Sequence, residues 1–144
     1  MRLKMVRWIT FVWLFLMLVL PCSSAVSQEI QWHSYSAGMS RGKFEKKKVF
    51  IHFYADWCAA CKEMEKNTFK DPEVIASLNQ NFIPIKVDAD REVETSTMYR
   101  VKALPDNWFI AEDGELIGHR PGYITPDQLK NILKILMSES GDKN

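Results

Sequence analysis

Apolar and polar positions fall along the chain in blocks of different period. Trp8 to Leu20 is apolar at every position except Thr10. Gln28 to Gly42 is a polar and aromatic stretch that includes Trp32 and Tyr35, and it predicts a short helix before Lys46-Lys47-Lys48, a lysine run read as a solvated turn. Val49-Phe50-Ile51-His52-Phe53-Tyr54 is β-branched and aromatic without clean alternation, as in a strand buried on both faces. Cys58 to Phe69 reads as a helix. Asp71-Pro72 opens another, with Asp71 as N-cap, Pro72 at the first helical position, and Val74, Ile75 and Leu78 on one face. Phe82 to Asp88 reads as a second strand, and the proline inside it predicts an edge position or the strand's start. Arg91 to Arg100 is a further helix candidate. Trp108-Phe109-Ile110 and Leu116-Ile117-Gly118 flank Asp113-Gly114, a strong hairpin signal. Thr125-Pro126 opens an amphipathic helix with Leu129, Ile132, Leu133 and Leu136 at helical spacing.

The predicted order is β-α-α-β-α-β-β-α. Strands alternating with helices imply an α/β domain with a parallel pair, and the closing hairpin adds an antiparallel pair to the same sheet. A length of 144 residues suits one domain built on a central mixed β-sheet flanked by helices.

Charge sharpens the reading of the first block. Arg2, Lys4 and Arg7 precede it, no acid comes before Glu29, and Pro21-Cys22-Ser23-Ser24-Ala25 follows. A basic start, an apolar run and a small-residue site are the layout of a secretory signal peptide. Residues 1–27 are therefore expected to be a signal segment cleaved after Ala25 or Ser27, leaving residues 28–144 as the folded domain with a core of about 46–138. The 13-residue run is short against the roughly 20 apolar residues of a membrane-spanning helix. Contact with a membrane is expected only if this segment stays uncleaved. Pro21 before Cys22 argues against lipidation, which needs a small residue there. The whole chain carries +1, but without Arg2, Lys4 and Arg7 it has 16 basic against 18 acidic residues, or −2. No basic excess points to nucleic acid as a partner.

Cleavage would also remove Cys22, leaving Cys58 and Cys61. They follow the first predicted strand in Ala55-Asp56-Trp57-Cys58-Ala59-Ala60-Cys61-Lys62 and open a predicted helix. Cysteines at i and i+3 share a helix face and can close a disulfide. The first sits at a helix N-terminus, where free N–H groups and the macrodipole favour an anion and so a reactive thiolate. Cys58 is expected to attack and Cys61, one turn deeper, to resolve. A zinc site usually needs four ligands, and His33, His52 and His119 lack finger-type spacing from this pair. A structural bridge over so short a loop would restrain little of the unfolded chain. Two readings outside disulfide reduction stay open: a Cu(I) carrier, with Met64 as a possible thioether ligand, and a maturation factor for cytochromes or a metalloprotein.

The stretch Phe53 to Lys62 resembles the active-site segment of the thioredoxin superfamily, and most closely the C-terminal periplasmic domain of the DsbD thiol:disulfide interchange proteins. The likeness continues through Glu63 to Val74, and Val49 to Leu136 is consistent with that fold. The resemblance implies a cis-proline loop at Ala103-Leu104-Pro105, with Leu104 and Pro105 facing the cysteines, and a shielding, partner-contacting role for Trp57. Trp32 and Trp108 are assigned to packing. Asp106 follows the proline where the family usually has threonine; it either points inward, raising the Cys58 pKa and disfavouring acidic partners, or faces solvent. His52 stands where the family often has a buried acid, six residues before the first cysteine. It is either a proton shuttle or a neutral core histidine with a backbone partner. Glu65, four residues after Cys61, is a second candidate acid.

Ala59 and Ala60 offer the thiolate no side-chain donor, which argues for a moderately reducing to intermediate potential. The expectation is thus a periplasmic thiol–disulfide oxidoreductase without a cofactor that reduces disulfides of client proteins and draws electrons from a membrane donor of the DsbD type. The terminal Gly141-Asp142-Lys143-Asn144 is not a retention signal for the endoplasmic reticulum, so the periplasm is preferred.

Overall fold

The computed structural model describes residues 29–139. The expected signal segment, with Cys22 and both cleavage positions, lies outside the described residues. The elements are α1 (Tyr35–Glu45), β1 (Lys48–Tyr54), α2 (Ala59–Lys66), a 3-10 turn (Thr68–Lys70), α3 (Pro72–Asn81), β2 (Phe82–Asp88), α4 (Val93–Met98), β3 (Asp106–Ile110), β4 (Leu116–Pro121) and α5 (Pro126–Glu139). The order after α1 is the expected one.

The four strands form one mixed sheet in the order β2-β1-β3-β4. β1 pairs parallel with β2, from Lys48 opposite Phe82 to Tyr54 opposite Asp88. It pairs antiparallel with β3, and the β3–β4 hairpin completes the sheet. β1 is central and buried on both faces, which explains its lack of alternation. Val49, Ile51 and Phe53 join Ile83, Ile85 and Val87 in one apolar cluster, covered by Tyr35 and Met39 of α1 and by Tyr99 and Val101. Phe50 joins the other cluster, with Leu78 of α3 and Leu129, Leu133 and Leu136 of α5. Phe50, Leu78, Leu129 and Leu133 are fully buried, each contributing about 1.5–3 kcal/mol of transfer free energy.

Pro84 places β2 at the sheet edge, as expected. That edge is partly covered: the His33 N–H donates to Pro84 O at 2.9 Å, and His33 O accepts from Lys86 N at 3.2 Å. α1 packs closely on the neighbouring face because its two buried residues are Gly38 and Gly42. A Cβ at Gly38 would overlap the Ile85 side chain, and one at Gly42 would overlap Val49, so alanine at either position would force the helix or that side chain to shift.

Two helices are shorter than the sequence predicts. α2 stops at Lys66, not Phe69. The Thr68 hydroxyl donates to Ile124 O at 2.6 Å, holding this stretch in a 3-10 turn against the loop before α5. α4 spans Val93–Met98 within the predicted Arg91–Arg100. Its end is a Schellman motif, with Val101 N–H donating to Ser96 O and Arg100 N–H to Thr97 O, both at 3.0 Å. Arg100 takes φ 52° there, a left-handed conformation that costs a residue with a Cβ about 1–2 kcal/mol. Lys46 closes α1 with the same φ.

Candidate active site

β1 runs out at Tyr54, and the chain turns through Ala55-Asp56-Trp57 into α2. The Cys58 N–H donates to Ala55 O at 3.1 Å, closing that turn. Cys58 is the N-cap of α2, in extended backbone (φ −77°, ψ 106°), and its Sγ accepts the Cys61 N–H at 3.2 Å. The sulfur thus takes the place of the usual capping oxygen, at the positive end of the helix dipole. Cys58 and Cys61 are joined as a disulfide with Cα atoms 5.3 Å apart, inside the range such a bridge requires. Both cysteines are buried, Cys58 at 5% exposure and Cys61 at 1%.

Leu104 packs against the cluster of Ala55, Cys58 and Cys61, together with Tyr54 and Ala60. The Leu104–Pro105 peptide is cis, as the resemblance implied. Pro105 O accepts the Gly122 N–H at 2.6 Å, which ties this loop to the end of β4. Trp57 is 70% exposed beside Cys58, and its indole N–H donates to Asp90 Oδ2 at 2.9 Å. Trp32 and Trp108 pack against the two core clusters as assigned.

Asp106 does not face solvent. It is buried, with Oδ1 3.0 Å from His119 Nδ1. His52 is a core histidine, but its partner is a side chain, not the backbone: Nδ1 lies 2.8 Å from Asn107 Oδ1. Burial pushes its pKa down to about 4, with Lys86 adding to the fall and the Asn107 hydrogen bond and Glu65 opposing it. Phe69, Trp32 and Tyr54 surround the ring at centroid distances of 4.8, 6.1 and 6.2 Å. Glu65 is half-exposed and paired with Lys86, whose Nζ also sits 4.2 Å from the Tyr54 ring centroid.

Sequence reasoning missed Asn107, Asp90, Lys86 and His119 as partners of these groups. The available signal was Asp106-Asn107 ahead of Trp108: two polar residues entering a strand must find partners when buried. Asn107 spends its amide N–H groups on Arg120 O at 3.2 Å and Gly122 O at 3.3 Å.

Fold and site together define a domain of the thioredoxin type with a disulfide-bonded cysteine pair at the start of α2. The chain belongs to the thioredoxin-like domain family, which matches residues 36–136. It is 43% identical over 76 residues to the thiol:disulfide interchange protein DsbD of Vibrio vulnificus, a match covering 49% of this chain and 13% of that protein. It therefore spans about an eighth of that relative's length. A thioredoxin of Mycoplasmoides gallisepticum is 34% identical over 88 residues, covering 61% of this chain and 83% of the relative. The solution structure of a thioredoxin from Thermus thermophilus shares the fold, with a TM-score of 0.70 at 22% identity over 78% of this chain and 91% of that one.

Proposed function

We propose that this protein is an exported reductant of client-protein disulfides. The observation that carries the reading is the seat of Cys58: its sulfur caps α2 and holds the Cys61 N–H, beside the buried Cys61. The same N–H and helix dipole stabilise a thiolate once the pair is reduced. The Cys58 thiolate attacks one sulfur of a client disulfide, and the other leaves as a thiolate. Cys61 gives up its proton and attacks Cys58 Sγ, releasing the second client thiolate and forming the Cys58–Cys61 disulfide. Two electrons have then moved from the pair to the client, and a donor must return them.

We assign supporting roles to the residues around this exchange. Leu104 and Pro105 form the wall against which a client segment lies. Trp57 covers the outer approach to Cys58. His52 stays neutral and structural, and Glu65, tied to Lys86, is the nearby acid in exchange with solvent. The basic start and apolar run of residues 1–27 support export to the periplasm, with residues 28–144 as the working domain. Among the described residues, no helix is long and apolar enough to cross a membrane. The likeness to DsbD supports a membrane donor of that type as the electron source. For the copper-carrier alternative, Met64 gives no help: it is fully buried, and its Sδ lies 3.9 Å from Asn107 Nδ2 in the core.

The test is a trap. Reduced Cys61→Ser, mixed with a disulfide-bearing protein, is expected to accumulate a mixed disulfide through Cys58, and Cys58→Ser is expected to accumulate none. Equal trapping by both variants would sink the assignment of roles.

A further inference from the structure

Ala103 and Asp106, which flank the Leu104–Pro105 bond, also line an open groove of about 420 Å³. Leu104, between those two lining residues in the chain, packs on the cysteine cluster, so the loop that bounds the groove also touches the redox pair. Its wall is aromatic. The Trp108 and His119 rings stack with centroids 4.3 Å apart, and Tyr99 meets Trp108 edge-on at 4.9 Å. Its exposed charges are basic. Arg100 and Lys102 line it, are exposed, and have no carboxylate partner among the described residues. The carboxylate in this lining, Asp106, is buried and engaged by His119.

Arg100 occupies a position that favours glycine, the left-handed residue after α4. Lys46 does the same after α1, at the opposite end of β1 from the turn that leads to the cysteines. What sets Arg100 apart is its place in the wall of this groove. Strain kept at such a place points to a use for the side chain.

On the thiol–disulfide reading above, we propose that this groove selects clients with an extended acidic segment beside the disulfide. Arg100 offers a planar fork that binds a carboxylate through two parallel hydrogen bonds, and Lys102 adds a second positive charge. The ring stack covers the apolar stem of the bound segment. The preference is local, because residues 28–144 carry −2 and their overall field does not draw acidic peptides.

The experiment uses two synthetic peptides with one intramolecular disulfide each, flanked by aspartates in one and by lysines in the other. The reduced protein is expected to reduce the acidic peptide about tenfold faster at low salt, a gap that closes as salt screens the charges. The double variant Arg100→Gly/Lys102→Gln is expected to bring the ratio to about one, since the attraction it removes is the local one. Lys134→Gln, a charge loss on α5, is expected to keep it. Binding of serine-substituted versions of both peptides to the oxidised protein, read by calorimetry, decides the groove without any turnover. Tighter binding of the acidic peptide, lost in the double variant, supports the proposal; equal binding, or preference for lysine, overturns it. If neither disulfide is reduced, the oxidoreductase reading fails, and the binding result still judges the groove.

Discussion

His52 and Asn107 face each other across β1 and β3, both buried, with Nδ1 of the ring 2.8 Å from the amide Oδ1. The amide oxygen can only accept, so the ring donates from Nδ1 and carries no proton at Nε2 when neutral. Nε2 is buried and has no partner among the described residues. Charging this ring would place a cation among Trp32, Phe69 and Tyr54 with nothing to receive its second N–H.

That arrangement predicts how stability depends on acidity. The folded ring titrates at about 4, below the ordinary value of 6.5. Between these values the unfolded chain holds a proton that the folded one lacks, so stability falls as pH drops from about 6.5 to about 4. At about 1.4 kcal/mol per pKa unit, the full loss is on the order of 3 kcal/mol. Melting temperatures of wild type and His52→Phe, measured between pH 7 and pH 4.5, check this. The wild type is expected to lose stability more steeply than the variant, and parallel curves would count against it.

Asn107 serves β4 as well as His52. Truncation to alanine leaves the His52 Nδ1–H and the carbonyls of Arg120 and Gly122 without their partner. An unsatisfied buried group costs about 1–3 kcal/mol, so Asn107→Ala is expected to lose several kcal/mol in denaturant unfolding.

Thr68 and Ile124 make a second buried contact of this kind, hydroxyl to carbonyl at 2.6 Å. Thr68→Val keeps the shape and removes the donor. A loss of about 1–3 kcal/mol is expected, read from the urea midpoint at unchanged slope.

Asp71 caps α3 by accepting the N–H groups of Glu73 and Val74 at 2.9 and 3.0 Å. Asp71→Ala is expected to cost about 1 kcal/mol and lower the melting temperature by a few degrees, with disulfide exchange unaltered.

How far the sequence reaches is clear from particular residues. The apolar run of β1, the Asp71-Pro72 start of α3, Pro84 at the edge and the Asp113-Gly114 hairpin each carry their own local signal, and each is where it was expected. The cysteine pair was legible for the same reason, since a strand, a turn and a helix start sit in one short stretch. The helix ends were not, because Thr68 ends its stretch through a carbonyl 56 residues away. The pairings of His52 with Asn107, 55 residues apart, and of Trp57 with Asp90, 33 apart, are likewise made only when the sheet closes. A periodic pattern reports which face a residue occupies and is silent on which polar atom meets it there.

On the proposed function, Cys58 and Cys61 form a reversible dithiol–disulfide couple poised to reduce. Equilibrating the purified protein against graded dithiothreitol or glutathione buffers, and reading the oxidised fraction by thiol trapping, tests it most directly. A reversible two-electron transition near the thioredoxin value of about −270 mV is the expected result. A potential near about −120 mV would make the protein an oxidant, and a pair that does not cycle at all would remove the redox function; either result rules out a reductant.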